Sequence, residues 1–380
     1  MKIQLTDEQE LIRRTVREFA EKEVAPKAAA WDKDKTFPAE VVPKMAALGL
    51  MGMPFPQELG GAGTDMVSYC IAIEELARAD ASVAVTMSVN NSLYSWPLYT
   101  FGDEEQHKKW LTPHLKGEKL GAYGLSEPGA GSDVAAMKTR AEKKGDSYVL
   151  NGQKSWITNG GHADSYVVFA KTDPEKKHRG ISAFLLAKDT PGFTCGKPED
   201  KLGIRASSTT TLHFDNVEVP EDQRIGDEGI GFKIAMQTLD GGRLGIASQA
   251  TGIAQAAFDH ALSYAKERKQ FGQAIGRFQA IQGKLADMAM KLEASRMLTY
   301  RACDLRDRKE PHSKEAAMAK LYASEAAMSI TREAVQVYGG NGYMSEFPLE
   351  RYMRDAKITE IYEGTSEIQR IVIARRLLDL

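Results

Sequence analysis

Apolar positions over the first third of the chain recur at the three-to-four-residue spacing of helices with one buried face. Leu11, Ile12, Val16, Phe19, Ala20 and Val24 form one such stripe. It is entered through Thr6-x-x-Gln9, a capping box, and closed by Pro26, whose ring and missing N–H stop a helix. A second helix fits Ala39 to Leu48 and ends at Gly49; Gly60-Gly61-Ala62-Gly63 reads as a turn. Further helical periodicity runs over Met66–Ala79 and Ala81–Phe101.

The pattern changes near Gly121. Short runs rich in β-branched and aromatic residues follow at Tyr148–Leu150, Tyr166–Lys171, Ile181–Leu186 and Thr209–Phe214. Asn151-Gly152 after the first run predicts a hairpin turn. The spacing predicts a small antiparallel sheet or barrel rather than alternating βαβ units. Helical periodicity returns over 230–266, 278–308 and 313–337, the last closed by Gly339-Gly340-Asn341-Gly342. A final helix starts at Ser366, with Ser366-x-x-Gln369 as its capping box. The chain is therefore expected to be mainly α with a central β domain: an N-terminal helical domain over 1–120, a middle β-sheet or barrel domain over 121–228, and a C-terminal helical bundle over 229–380.

Composition narrows the class. A chain of 380 residues exceeds what one core usually serves, and 42% apolar with 27% charged residues is the balance of a globular protein. A net charge of −2 gives no drive toward nucleic acid or an anionic membrane. Cys70, Cys195 and Cys303 are scattered and odd in number, which predicts buried thiols rather than a disulfide framework. The charged Met1–Glu10 stretch has no apolar signal-like segment and no apolar run reaches membrane-spanning length, so a cytoplasmic protein without membrane insertion is expected. Seven histidines form no ligand spacing, and no metal is expected.

Five segments carry candidate chemistry. Glu363 lies between Tyr362 and Gly364 in Ile361–Arg370, where a shielded carboxylate becomes a stronger base and a glycine allows close approach. Alone it reads more readily as a loop residue ahead of a helix cap, since structural carboxylates are far commoner than catalytic ones. Ser126-Glu127-Pro128-Gly129-Ala130-Gly131-Ser132-Asp133 offers backbone N–H groups to a phosphate or ring, yet lacks the third glycine and βαβ setting of a dinucleotide fingerprint; alone it is a turn. Trp156 and Thr158, two apart on a strand, present an aromatic wall and a hydroxyl on one face, or simply a packed sheet surface. Arg268-Lys269-Gln270-Phe271-Gly272 suits a pyrophosphate and an adenine, or a solvated helix end. Asp240-Gly241-Gly242-Arg243 puts two glycines inside a helix at about 1 kcal/mol each, which suggests a group packed close to the backbone there.

In combination and order, Tyr123–Asp133, Trp156–Gly160, Arg268–Gly272, Gln336–Gly342 and Ile361–Arg370 resemble the acyl-CoA dehydrogenase family over essentially the whole chain, with closest likeness to its short-chain (butyryl-CoA) branch. The resemblance implies an FAD enzyme and a homotetramer, a dimer of dimers. By it, Tyr123, Leu125, Ser126, Gly131, Ser132, Trp156, Ile157 and Thr158 contact the flavin, with Thr365 and Glu367 on its other side. Arg268, Phe271, Gln336, Gly339 and Gly340 hold its adenine end across a subunit interface. Glu363 takes the α-proton while a hydride passes from the β-carbon to the flavin, giving a trans-2-enoyl-CoA. The Glu363 N–H and a flavin ribityl hydroxyl bind the thioester carbonyl. Ser132, Asp240 and Arg243 match positions touching the acyl-CoA substrate, Phe232 and Tyr362 line its acyl pocket, and Gly364 leaves room for the thioester. Electrons go on to an electron-transfer flavoprotein. In two other branches the base precedes the matching arginine on the helix; here that slot is Gly242, leaving Glu363 as the candidate. An oxidase, a branched-chain dehydrogenase and a flavin-free scaffold are the alternatives.

Overall fold

A computed structural model describes residues 4–379, so the first three residues of the charged N-terminal stretch lie outside it. The N-terminal helices are α1 (Asp7–Phe19), α2 (Ala25–Asp34), α3 (Val42–Ala47), α4 (Met66–Ala79) and α5 (Ala81–Ser88), then the shorter α6 (Trp96–Phe101), α7 (Glu104–Gln106) and α8 (Thr112–Leu115). Thr6 does cap α1: its hydroxyl accepts from the Gln9 N–H at 3.2 Å and the Gln9 side chain returns to the Thr6 N–H at 3.0 Å. Pro26 does not end the run. A π-helical turn at Ala20–Val24 shifts the register, and Pro26 falls in the first turn of α2, where no N–H is needed. Asp65 and Asp80 cap α4 and α5 by accepting from Ser68 N (2.7 Å) and Val83 N (2.9 Å). The expected helix over 81–101 is interrupted by a second π-helical stretch, Val89–Ser95.

The middle region is an eight-stranded sheet of β1 (Gly121–Gly124), β2 (Arg140–Lys144), β3 (Ser147–Thr158), β4 (Ser165–Lys171), β5 (Ile181–Ala187), β6 (Phe193–Cys195), β7 (Thr209–Pro220) and β8 (Arg224–Ile225). Its order is β6-β7-β3-β2-β4-β5-β8, with β1 alongside β4. The sheet is not wholly antiparallel, since β1 and β2 both run parallel to β4. Asn151-Gly152 is not a turn. The β2–β3 hairpin closes at Gly145-Asp146, with Lys144 opposite Ser147. Gly152 instead sits mid-strand at a bulge, where a Cβ would come 2.7 Å from the Thr139 Cα.

The C-terminal region consists of α9 (Gly231–Glu267), the small hairpin β9 (Lys269–Gln270) and β10 (Gln273–Ala274), α10 (Gln279–Asp307), α11 (Ser313–Tyr338), α12 (Leu349–Thr359) and α13 (Ser366–Leu377). Helices α9, α10 and α11 pack side by side, and α12 and α13 lie against α11. Their shared core is dominated by small residues such as Ala250, Ala254, Ala319, Ala323 and Ala327. Cutting through the molecule, α9 packs on α4 and α5 with its buried Leu244 in the N-terminal core and on the sheet with Ile234. Ser366 is the first residue of α13; its cap is Thr365, whose hydroxyl accepts from Ile368 N at 3.3 Å.

Candidate active site

All three layers meet at a cavity of about 280 Å³. Its walls come from the end of β1 and the loop beyond it, the end of β3, the α5–π-helical stretch, the first half of α9 and the turn between α12 and α13. Of the expected residues, Tyr123, Leu125, Ser126, Gly131, Ser132, Trp156, Ile157, Thr158, Phe232, Arg243, Tyr362, Glu363 and Gly364 line this one cavity. Val85, Val89, Leu93, Met236 and Leu239, which the sequence does not single out, add apolar wall.

Glu363 is set by a strained turn. Its φ is +51°, in the left-handed region, and Gly364 follows at +94°. The turn is tied down from beneath. Lys320 on α11 donates to the Gly364 carbonyl at 2.7 Å, and Gln369 Nε2 donates to the carbonyls of Gly364 (2.8 Å) and Glu363 (3.2 Å). Tyr362 is anchored on α9 by its hydroxyl, which donates to Gln249. The Glu363 side chain reaches over Gly242, where any Cβ would overlap its Oε2. The groups packed close to this glycine pair are the Glu363 carboxylate at Gly242 and the Arg306 guanidinium at Gly241.

Oε2 of Glu363 is closed off from solvent and has no hydrogen-bond partner among the described residues. Burial pushes the Glu363 carboxyl up to about 7, against the opposing pull of Lys320 and Arg243. Burial likewise depresses Lys320 to about 8 and lowers Arg243. Arg243 pairs with Asp240, which also accepts from Ser313 Oγ at 3.0 Å, while the Arg243 Nε has no partner in the described chain. The buried Tyr123 hydroxyl is similarly unpartnered. Three polar groups thus stand unsatisfied around one cavity, as a ligand-binding site requires.

On the opposite wall the register between β3 and β7 slips between Lys154 and Ile157, and Trp156 adopts φ +60° with 58% of its surface exposed. Trp156, Ile157 and Thr158 all line the cavity at this slip, Ile157 from the buried side. The loop after β1 rests on a buried ion pair: Lys154 Nζ donates to the Leu125 carbonyl (3.1 Å) and meets Glu127 (2.8 Å), which accepts from Thr139 N (3.0 Å). Beyond it, Gly129 and Gly131 have no atom within 4 Å of where a Cβ would stand, so that backbone is bare toward solvent.

The remaining expected residues lie elsewhere. Asp240 sits behind Arg243; Thr365 caps α13 and Glu367 is exposed in its first turn. Arg268, Phe271, Gln336, Gly339 and Gly340 are surface residues away from the cavity, with Phe271 92% exposed at the tip of the β9–β10 hairpin. Lys320 escapes notice in the sequence, and Gln369 is read there only as a capping-box partner. Yet Lys320 lies four residues from Ala316 and from Ser324, on the buried face of α11, and that is the signal for it.

Family models for the acyl-CoA dehydrogenase N-terminal, middle and C-terminal domains match residues 6–118, 122–217 and 229–378. The chain belongs to the acyl-CoA dehydrogenase family. Within it, the chain is similar to the mitochondrial short-chain specific acyl-CoA dehydrogenase of Bos taurus, 57% identical over 376 residues, 99% of this chain and 91% of that one. It is also similar to butyryl-CoA dehydrogenase from Megasphaera elsdenii (49% identity, TM-score 0.98, all of both chains). A chain in the structure described as the electron transferring flavoprotein of Acidaminococcus fermentans matches at 51% identity and TM-score 0.98, again over all of both chains.

Proposed function

We propose that this chain is an FAD-dependent short-chain acyl-CoA dehydrogenase that converts a saturated acyl-CoA thioester to its trans-2-enoyl-CoA and passes the electrons to an electron-transfer flavoprotein. The observation that carries the reading is Glu363: a strained, solvent-shielded carboxylate that titrates near neutrality and faces an apolar cavity. The donors fit FAD: bare backbone at Gly129 and Gly131, an unpartnered Tyr123 hydroxyl, and the Trp156 ring and Thr158 hydroxyl on one wall. Tyr123, Leu125, Ser126, Gly131, Ser132, Trp156, Ile157, Thr158, Thr365 and Glu367 are the residues assigned to hold it.

Bound FAD supplies a two-electron acceptor. The protein supplies the proton path. Ionised Glu363 takes the α-proton onto its carboxylate, and water is kept out by Val89, Leu93, Phe232, Leu239 and Tyr362. Exclusion of water by the acyl group raises the basicity of Glu363 further. Ser132, Asp240 and Arg243 are assigned to the CoA portion, Phe232 and Tyr362 to the acyl chain, and Gly364 to clearance for the thioester.

Arg268, Phe271, Gln336, Gly339 and Gly340 face outward, which supports a homotetramer in which a second copy completes the adenine end of the site. The cytoplasm is proposed as the compartment, supported by three free thiols, two of which, Cys70 and Cys303, lie 3.4 Å apart unjoined. Among the described residues no helix is long and apolar enough to cross a membrane. Anaerobic titration of the flavin-loaded protein with butyryl-, octanoyl- and palmitoyl-CoA tests the reading: butyryl-CoA is expected to bleach the flavin fastest. Bleaching by palmitoyl-CoA alone would overturn the short-chain assignment.

A further inference from the structure

Several buried or half-buried ionisable groups outside the cavity wall are matched by a partner of opposite charge. Lys154 meets Glu127, Arg296 meets Glu74, and Arg354 meets Asp32 and Glu350. Lys320 differs. Its side chain is wholly buried, and the hydrogen bond it makes is to a main-chain carbonyl, that of Gly364 at 2.7 Å. A buried ammonium that spends its bond on a peptide oxygen is costly unless the charge itself serves a purpose. The carbonyl it holds belongs to the residue after Glu363, in a turn whose two residues both have positive φ. One helical turn further along α11, the Ser324 hydroxyl reaches the Thr359 carbonyl at 2.8 Å. Both ends of the segment between α12 and α13 are thus pinned to α11.

We propose that Lys320 is a positioning residue for the base: its ammonium locks the left-handed Glu363–Gly364 turn and, at neutral pH, places a positive charge near the carboxylate that must ionise. This rests on the assignment of Glu363 as base. The groups facing Glu363 are Lys320 from α11, Arg243 from α9, Tyr123 from β1, Tyr69 from α4 and its own neighbour Tyr362; those near Lys320 also include Glu360 and Glu367. Of these, Lys320 alone bonds the backbone of the turn while also opposing the burial of the carboxylate. The ion pair of Arg243 with Asp240 divides its charge, and the tyrosines are neutral.

Two variants separate the parts of the role. Lys320→Met removes donor and charge; Lys320→Gln keeps a donor without charge. Each is prepared as the flavin-loaded protein, and the infrared carbonyl band of protonated Glu363, assigned by its loss in Glu363→Gln, is followed against pH. The expected result is a band midpoint about one unit or more above the wild type in both variants. In Lys320→Met, kcat for butyryl-CoA falls at least about tenfold at neutral pH with KM within about threefold, and recovers partly at higher pH. Lys320→Gln falls less. An unmoved midpoint, or a kcat within about twofold of the wild type in Lys320→Met, overturns the proposal. Loss of the fold in both variants by thermal melting also overturns it, making Lys320 structural. Glu363→Gln in parallel keeps the two readings apart: bleaching that survives there removes the base assignment, whereas an inert Glu363→Gln beside a normal Lys320→Met removes only the role of Lys320.

Discussion

Glu363 illustrates a conflict between stability and chemistry within one side chain. An ordinary exposed glutamate is ionised well below neutrality, but burial holds this one at about 7. Its carboxyl is therefore easier to protonate folded than unfolded, and the linkage has a definite sign. Between about 4.5 and about 7 the folded state holds a proton that the unfolded state has lost, so the contribution of this group to stability falls as pH rises through that window. Glu363→Gln is expected to melt a few degrees higher than the wild type at pH 8, with the gap closing toward pH 5. Calorimetry on the two proteins checks it, and a gap independent of pH would contradict the raised value. With ionised Glu363 as the proposed base, the same value places the acid limb of kcat/KM near pH 7. A profile flat from pH 6 to pH 9 would count against Glu363.

At the scale of elements, the site depends on what α9 leaves out. Gly242 gives up helix propensity so that the Glu363 carboxylate can lie against the helix backbone. Gly242→Ala is expected to keep the fold, since the atom displaced is the end of a flexible side chain, and to lower kcat by about tenfold or more by misplacing the base. Retained activity with an unchanged melting temperature would refute this close contact. Local rules carried much of the element scale: the Thr6 cap, the bounds of α9, α10 and α11, and the strands at Tyr166 and Ile181 follow from spacing and capping chemistry. They failed where a distant partner decides. Asn151-Gly152 carries a turn signature, but β7 pairs along both sides of it and keeps the strand extended. Pro26 stops a helix only if the register before it is unbroken, and a π-helical turn breaks it. Ser366 loses the cap position to Thr365, because Gln369, its expected box partner, is drawn down to hold the Glu363–Gly364 turn. Lys320 was passed over for a related reason: its spacing from Ala316 and Ser324 puts it on the buried face, but what holds a lysine there is the Gly364 carbonyl, which comes from a distant segment.

Over the whole molecule, three layers converge on one cavity. The N-terminal helices and the first half of α9 give apolar wall, the sheet gives the Tyr123 hydroxyl and Trp156 ring, and the C-terminal region adds charge and the proposed base. The residues assigned to the far end of FAD stand exposed away from that cavity, led by Phe271. If a second copy covers them, Phe271→Ser weakens both assembly and cofactor retention. Sedimentation is expected to show dissociation at concentrations where the wild type stays assembled, with flavin content falling in step. Loss of flavin without dissociation would separate the two and contradict a shared interface.

The central claim is that Glu363 removes the proton that commits the substrate to oxidation. Its most direct test is anaerobic stopped-flow mixing of butyryl-CoA with flavin-loaded wild type and Glu363→Gln, read by flavin bleaching. Loss of the base is predicted to slow bleaching by roughly a hundredfold to ten-thousandfold while butyryl-CoA still binds. Bleaching of Glu363→Gln at the wild-type rate would contradict the account.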